Sequence, residues 1–269
     1  MSISDQPRVG LFVTCLVNLF RPSVGFASIK LLEDAGCIVD IPNSQTCCGQ
    51  PGYNPGDFDS TRAVAKQVID TFLDYDYVVV PSGSCAGMLR LHYPALFKND
   101  KVYLERAEKL SAITYELTSF LVDILKYQAK PNQDRSTETI TYHDACAGLR
   151  ELGIKTQPRK LLQQAANVTV AEMNKTEECC GFGGTFCAKM PAISEKMVSD
   201  KLSTAIDTGA SLLLAGDMGC LLNIAGRARR LNKPIQCRHV AEVLAGELDT
   251  PGIGESDQIY TSQTTESVN

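Results

Sequence analysis

The sequence predicts an α/β protein that consists of two copies of one parallel-sheet unit with helices on both faces. Short β-branched runs alternate with amphipathic stretches along the chain, which is the pattern of successive strand–helix units. A set of cysteine landmarks also occurs twice, at an almost constant separation. The alternation predicts the parallel sheet, and the repetition predicts a tandem duplication.

The cysteine pattern identifies the duplication. Each half of the chain contains a single cysteine, an adjacent pair and a further single cysteine, namely Cys15, Cys47, Cys48 and Cys85, and then Cys146, Cys179, Cys180 and Cys220. The three landmarks are displaced by 131, 132 and 135 residues, which is too regular to attribute to chance. We therefore predict a first repeat over residues 1–130, a second over 131–250, and a polar, disordered tail over 251–269.

Seven short runs rich in apolar and β-branched residues predict buried strands. In chain order they cover residues 9–14, 38–41, 77–80, 140–142, 168–171, 211–215 and 234–236. Helical periodicity predicts longer elements at residues 23–35, 58–73, 106–127, 158–166, 193–207, 221–231 and 240–248. Each repeat is thus predicted to be a Rossmann-like unit, in which helices cover both faces of the parallel sheet.

The composition excludes several classes of protein. The chain has 269 residues and 11 cysteines, and an odd count with adjacent pairs suits disulfide pairing poorly. We find neither a secretory signal pattern nor an apolar run of the roughly 20 residues that span a bilayer. A net charge of −5 disfavours nucleic acid as a partner. These features are typical of a cytoplasmic protein without a transmembrane segment, in which clustered cysteines indicate metal or redox chemistry.

The single cysteines Cys15, Cys85, Cys146 and Cys220 each follow a predicted strand, where a helix is about to begin. The adjacent pairs follow the second strand of each repeat. Because parallel strands end at one edge of a sheet, we expect four thiols to gather at the carboxyl edge of each repeat. Helix N-termini at this edge favour the thiolate, which is the form that binds metals.

Each repeat thus offers four cysteines to a cofactor, and four thiolates suit either a zinc ion or an iron–sulfur cluster. Adjacent cysteines are an awkward chelate for one zinc ion, because their side chains diverge along an extended chain. The same two cysteines can bind different irons of one cluster. We therefore favour an iron–sulfur cluster of the 4Fe–4S or 2Fe–2S type in each repeat. Zinc is the alternative, and buried cysteines without any ligand are a third interpretation.

Five further residues are interpreted as supporting ones. Cys37 lies in a strand-like run and is expected in the core, whereas Cys187 and Cys237 have no partner in the other repeat. Cys187 is close to the second cysteine pair and could be a spare ligand, but we favour buried, unligated cysteine for all three. His143 precedes Cys146 by three residues, and His239 opens the last predicted helix. Either histidine could ligate a cluster or donate to its sulfur. We interpret both as supporting or helix-capping residues.

The phrases around the cysteines resemble the CCG-domain family, the cysteine-rich module that heterodisulfide reductases share with the iron–sulfur subunit of glycolate oxidase. The resemblance is carried by FVTC at residues 12–15, CCGQP at 47–51, CCGFGGTF at 179–186, CLLNI at 220–224 and HVAEVL at 239–244. Within that family these phrases resemble the lactate utilization iron–sulfur proteins. The resemblance implies an electron-transfer subunit with one or two 4Fe–4S clusters, which belongs to a multiprotein complex that oxidises L-lactate.

The sequence departs from the family pattern once in each repeat. The family motif ends in C-x-x-C, but Met88 and Asn223 occupy the last positions here. Thioether sulfur and amide oxygen are poor substitutes for thiolate on iron. The resemblance therefore favours an electron-transfer subunit over two alternatives, a heterodisulfide reductase-like thiol–disulfide oxidoreductase and a zinc-stabilised structural subunit. The partners that it implies are the other iron–sulfur and accessory subunits, on which lactate would be oxidised wholly or in part.

Overall fold

The computed structural model describes residues 6–129, 138–165 and 168–255 of the chain. It contains two four-stranded sheets, one in each repeat. The strands are β1 (Arg8–Leu11), β2 (Ile38–Asp40), β3 (Tyr77–Val80), β4 (Thr114–Glu116), β5 (Glu138–Tyr142), β6 (Val168–Val170), β7 (Leu212–Ala215) and β8 (Gln236–His239).

The two sheets have the same topology. Their strand orders are β2-β1-β3-β4 and β6-β5-β7-β8, and every neighbouring pair is parallel. Val9 of β1 lies opposite both Val39 of β2 and Tyr77 of β3, and Ile140 has the same central place in the second sheet. The predicted fold class and the predicted repetition of one unit are therefore confirmed.

Helices cover both faces of each sheet. The helices of the first repeat are α1 (Cys15–Phe20), α2 (Pro22–Asp34), α3 (Gln50–Tyr53), α4 (Phe58–Phe72), α5 (Gly83–Gly87), α6 (Tyr93–Leu96), α7 (Lys101–Ile113) and α8 (Leu117–Ser119). Short π-helical segments continue α5 and α8, at Met88–His92 and Phe120–Ile124. The helices of the second repeat are α9 (Cys146–Leu152), α10 (Thr156–Gln164), α11 (Phe186–Lys189), α12 (Pro191–Ile206), α13 (Met218–Arg230) and α14 (Val240–Ala245). None of these described helices is long and apolar enough to cross a membrane.

The prediction of a single helix over residues 106–127 is wrong. The chain leaves α7 at Ile113, forms β4, and returns to helix at Leu117. Thr114 is fully buried and lies opposite Val78 of β3, so β4 completes the first sheet. Burial against a neighbouring strand decides the conformation here, because the same residues also satisfy the helical period.

Smaller differences from the prediction occur where strands end. β1 ends at Leu11, because Thr14 instead caps α1 by accepting a hydrogen bond from the Val17 N–H. β8 overlaps the predicted strand at residues 234–236 only at Gln236, its first residue. The short helices α1 and α9, which begin at the first cysteine of each repeat, are not predicted from periodicity because they are too short.

Buried residues of both sheets form a hydrophobic core that the two repeats share, and each repeat also has a core cluster of its own. Helix α2 packs against α14, where Arg21 Nε donates to Glu242 Oε1 at 2.7 Å. Helices α5 and α9 also lie against each other, and a Cβ on Gly83 would be 2.7 Å from Gly148 Cα. Only glycine allows two helix backbones to approach so closely.

The start of the predicted tail differs from the expectation of disorder. The Ile253 N–H donates to Cys237 O at 2.9 Å, and the Ile253 side chain is buried against the second repeat. The rest of the predicted tail, residues 256–269, lies outside the described residues, as does the predicted repeat boundary at residue 130.

Candidate metal centre

The single cysteines lie at the starts of helices that follow the central strands of each sheet. Cys15 begins α1 after β1, and Cys146 begins α9 after β5. Cys85 is the third residue of α5 after β3, and Cys220 is the third residue of α13 after β7. These four residues therefore lie at the carboxyl edges of the two sheets, as predicted.

The adjacent cysteine pairs lie in loops that turn at a glycine. Gly49 and Gly181 follow the pairs with φ of 84° and 79°, a region that favours glycine. The Gly49 N–H donates to Cys47 Sγ at 3.5 Å, and the Gly181 N–H donates to Cys179 Sγ at 3.4 Å. The same turn thus brings a backbone donor to one sulfur in each repeat.

All eight predicted ligands line a single cavity between the repeats, with a volume of about 440 Å³. The thiols within it are in direct contact. In the first repeat Cys15 Sγ lies 3.8 Å from Cys47 Sγ, and Cys48 Sγ lies 3.3 Å from Cys85 Sγ. Disulfide sulfurs are about 2.05 Å apart, so these thiols are free.

The second repeat has the equivalent arrangement. The thiol of Cys146 interacts with that of Cys179, and the sulfurs of Cys180 and Cys220 lie within 4.8 Å of each other. Each repeat therefore brings its four predicted ligands into one contiguous set, and the two sets face the same cavity.

Asp217 forms hydrogen bonds at the N-termini of two helices, one in each repeat. Its Oδ1 accepts from the Gly219 N–H of its own helix at 3.1 Å. Its Oδ2 accepts from Ser82 Oγ at 3.0 Å and from the Ser84 N–H at 3.1 Å, both in the other repeat. Sequence reasoning missed Ser82 and Asp217, although each stands three residues before a predicted ligand. Both are of the residue types that cap helices, which is the signal that could have found them.

Hydrogen bonds within each site give the thiols different acidities. Hydrogen bonds from the thiols of Cys15 and Cys48 and from the Gly49 N–H hold the pKa of Cys47 well below its ordinary value. Cys179 has the same environment and the same lowered pKa. Donation to Cys47, together with burial, raises the pKa of Cys15, and the equivalent residues of the second repeat behave alike. Cys47 and Cys179 therefore ionise more readily than Cys15 and Cys146, from which a metal must displace a proton to bind.

The second site also contains a buried histidine. The His143 side chain is fully buried, and both of its ring nitrogens lack a hydrogen-bond partner. Burial, and then the charge of Lys201, lowers the pKa of His143 to about 3, so the ring is neutral. The ligand atoms of His143, Cys180 and Cys220 all lie within 4.8 Å of one another. Neutral imidazole and thiolate are both good ligands for transition metals, so the donor set fits a metal ion or an iron–sulfur cluster.

A family model described as the cysteine-rich domain CCG matches residues 9–90 and 140–225 of the chain. The two matches cover more than half of the sequence, one in each repeat, and each contains four of the predicted ligands. The chain belongs to the CCG cysteine-rich domain family.

Two relatives match this CCG protein over both repeats. It is 46% identical to Lactate utilization protein A of Bacillus cytotoxicus over 237 residues, which are 88% of this chain and 98% of that protein. It is also 46% identical to Lactate utilization protein A 2 of a Bacillus cereus strain over 239 residues, with the same coverage.

A solved structure of a hypothetical protein from Helicobacter pylori has a similar fold. The TM-score is 0.60 at 12% identity, and the likeness covers 98% of this chain and 54% of that one. This CCG protein thus spans about half the length of the Helicobacter protein. At such low identity the likeness shows the fold alone.

The two residues that replace the last cysteine of the CCG pattern do not face the cavity. Met88 is fully buried in the core of the first repeat. Asn223 Nδ2 donates to Cys180 O at 2.9 Å, so this side chain holds the backbone of the cysteine pair in place. Among the described residues that line the cavity, neither Met88 nor Asn223 is present.

The supporting residues lie largely as predicted. Cys37 and Cys237 are buried in the hydrophobic core. Cys187 is half-buried, and its thiol donates to Gly184 O at 3.4 Å rather than lying in the core. His239 Nδ1 accepts from the Ala241 N–H at 3.2 Å, which confirms the predicted capping of the last helix.

Proposed function

We propose that this CCG protein is an iron–sulfur electron-transfer subunit of a multiprotein system that oxidises L-lactate. The observation that carries the proposal is the single cavity, on which two sets of four free thiols converge. Two relatives that are 46% identical over nearly their whole length are named for lactate utilization, and this supports the metabolic role.

The ligands of the first cluster would be Cys15, Cys47, Cys48 and Cys85, and those of the second Cys146, Cys179, Cys180 and Cys220. Adjacent cysteines in both sets favour a cluster over a single zinc ion, because neighbouring side chains reach different irons more readily than one ion. A 4Fe–4S cluster, when bound, supplies a reversible one-electron carrier.

The hydrogen bonds and the burial of the thiols suit each site to an electron carrier of this kind. The N–H groups of Gly49 and Gly181 donate to sulfur, and donors of this kind tune the potential of a thiolate-bound cluster. Cys48 and Cys180 are buried, whereas Cys15 and Cys146 are half-buried. One edge of each site is therefore accessible to an electron-transfer partner, while the opposite edge is shielded from water.

We place the oxidation of lactate itself on a partner subunit. A hydroxy acid carries a carboxylate, and a site for it needs an unpaired cation or several polar donors. Arg150 is the one cation among the described residues that line the cavity, and its Nη2 already donates to Glu177 O at 3.3 Å. Polar side chains also line the cavity, but two of them, Glu151 and Asp217, are carboxylic acids and disfavour the binding of an anionic substrate.

Cysteine-to-serine variants test the cluster sites. The chain, purified without oxygen, should contain iron and acid-labile sulfide and show visible absorbance that dithionite bleaches and air restores. Cys47→Ser and Cys179→Ser should each remove about half of the iron, since each disables one set of ligands. Cys237→Ser is the matched control and should remove none, because that thiol is buried away from the cavity. Stoichiometric zinc without sulfide would contradict the proposal.

Growth on L-lactate tests the metabolic role separately. A Bacillus strain that lacks its own lactate utilization protein A should grow on L-lactate when it expresses this chain or the Cys237→Ser variant, but not the Cys179→Ser variant. Catalytic reduction of a small disulfide by the isolated chain, without any effect on lactate growth, would instead favour a thiol–disulfide oxidoreductase.

A further inference from the structure

The second site has a polar group that the first site lacks. His143 precedes Cys146 by three residues, and Phe12 occupies the same place before Cys15. Phe12 is fully buried and packs on Phe72, with ring centroids 5.5 Å apart. The two repeats therefore differ in chemistry at a position that is otherwise equivalent.

The His143 ring has no protein partner, although it is fully buried. An imidazole in the core normally donates from one nitrogen and accepts at the other, because an unpaired polar atom that has lost its water is costly. Neither nitrogen of His143 has such a bond within the described structure. The ring is thus held in place without the interaction that would offset its burial.

The geometry around the ring indicates what satisfies it. A ring nitrogen of His143 and the sulfurs of Cys180 and Cys220 lie within 4.8 Å of one another. Imidazole nitrogen and cysteine sulfur both bind transition metals at about 2.0–2.3 Å. The three atoms are therefore grouped closely enough for His143 to reach a metal centre that these cysteines hold.

We propose that His143 donates a ring nitrogen to the metal of the second site in place of one of the four thiolates there, which makes this site a mixed cysteine–histidine centre and leaves the first site with cysteine alone. The inference rests on the proposed binding of a cluster at each site. Asn223, which stands where the family motif has a further cysteine, is turned to the backbone and supplies no ligand.

A neutral nitrogen ligand makes the second site less negative than the first. Lys201 acts in the same direction, because its buried Nζ donates to Lys175 O at 2.6 Å and to Thr176 O at 3.2 Å beside this site. A cluster with less negative surroundings accepts an electron more readily, as when histidine replaces cysteine in Rieske centres. A cluster held at the second site would therefore accept an electron more readily than one held at the first.

Isotope labelling of the intact chain tests the ligand directly. The full chain is reconstituted with iron and sulfide, reduced, and examined by pulsed electron paramagnetic resonance with natural-abundance and with ¹⁵N-labelled histidine. The natural sample should show a strongly coupled nitrogen, and the label should change that coupling in proportion to the nuclear moments. No mutation is needed, so a folding defect cannot affect the result.

Two variants test whether the coupled nitrogen belongs to His143. His143→Phe copies the first repeat, and it should keep iron and sulfide, lose the coupled nitrogen and lower the potential of one cluster. His92→Phe is the matched control, because His92 bonds to Glu151 at 3.2 Å and does not line the cavity, and it should change neither property. A chain that holds iron and sulfide but shows no histidine coupling would overturn the inference and leave the proposed function intact. A chain that holds neither iron nor sulfide would contradict both.

Discussion

The substitution Gly83→Ala adds one methyl group and tests how closely the two repeats approach each other beside the cysteines. A Cβ on Gly83 would lie 2.7 Å from Gly148 Cα and 2.9 Å from Gly148 N, and both are backbone atoms that cannot rotate away. The same methyl group on Gly148 would lie 3.7 Å from Gly83 Cα, which is an ordinary contact. Gly83→Ala should therefore force α5 and α9 apart, whereas Gly148→Ala should not.

The magnitude follows from two opposing effects. Overpacking of a buried contact costs about 1–3 kcal/mol. Alanine is favoured over glycine within a helix by about 0.5–1 kcal/mol, an advantage that both variants gain in part. We expect the free energy of unfolding to fall by about 1–2 kcal/mol in Gly83→Ala and to change by less than about 1 kcal/mol, towards greater stability, in Gly148→Ala.

Urea denaturation of the reduced, metal-free chain measures both effects. The m-values of the two variants should match that of the unmodified chain, so that the shifts in midpoint report stability alone. Cys85 follows Gly83 by two residues, and Cys146 precedes Gly148 by two. Gly83→Ala should therefore also speed the loss of iron from both sites. Equal stability of the two variants, or a less stable Gly148→Ala, would refute this account of the interface.

Three further predictions concern contacts between the repeats and the cysteine sites. Asp217→Asn should lower the free energy of unfolding by about 1–3 kcal/mol, since it weakens hydrogen bonds that join the repeats, and an unchanged urea midpoint would argue against that role. Arg21→Ala leaves the buried Glu242 carboxylate without its ion pair and should cost about 3 kcal/mol. Adding Glu242→Gln should recover part of this loss, and a double variant with no recovery would contradict the pairing. Metal binding should strengthen as the pH rises, because the raised pKa values of Cys15 and Cys146 keep these thiols protonated until a metal displaces the protons. Competition with a chromophoric chelator measures this, and an affinity independent of pH would contradict the assigned protonation states.

The duplicated pattern made much of the fold predictable. Seven of the strands coincide with or overlap runs that stand out by composition, and the equal spacing of the cysteines related one repeat to the other. β4 was missed because its three residues lie within a stretch that also fits a helical period. β8 occupies the same position in the second sheet as β4 does in the first, and the sequence predicted a strand near β8. Because the repeats are duplicates, that prediction implied a fourth strand in the first repeat, where β4 lies.

The contacts between the repeats could not be predicted in the same way. The hydrogen bonds of Asp217 to Ser82 and Ser84, and the approach of Gly83 to Gly148, depend on how the two sheets are placed. Neither periodicity nor spacing carries that information. From the sequence, His143 was interpreted only as a supporting residue. The structure adds that both of its ring nitrogens are buried without a partner, which the sequence could not show.

Native mass spectrometry of the intact, anaerobically reconstituted chain tests the central claim most directly, because it weighs the bound iron and sulfide together. The account predicts a main species with two 4Fe–4S clusters, which is about eight irons and eight sulfides per chain. Each ligand set should lose one cluster as a unit when its paired cysteines are replaced. A chain that binds zinc ions without sulfide, or that carries no metal at all, would contradict the claim.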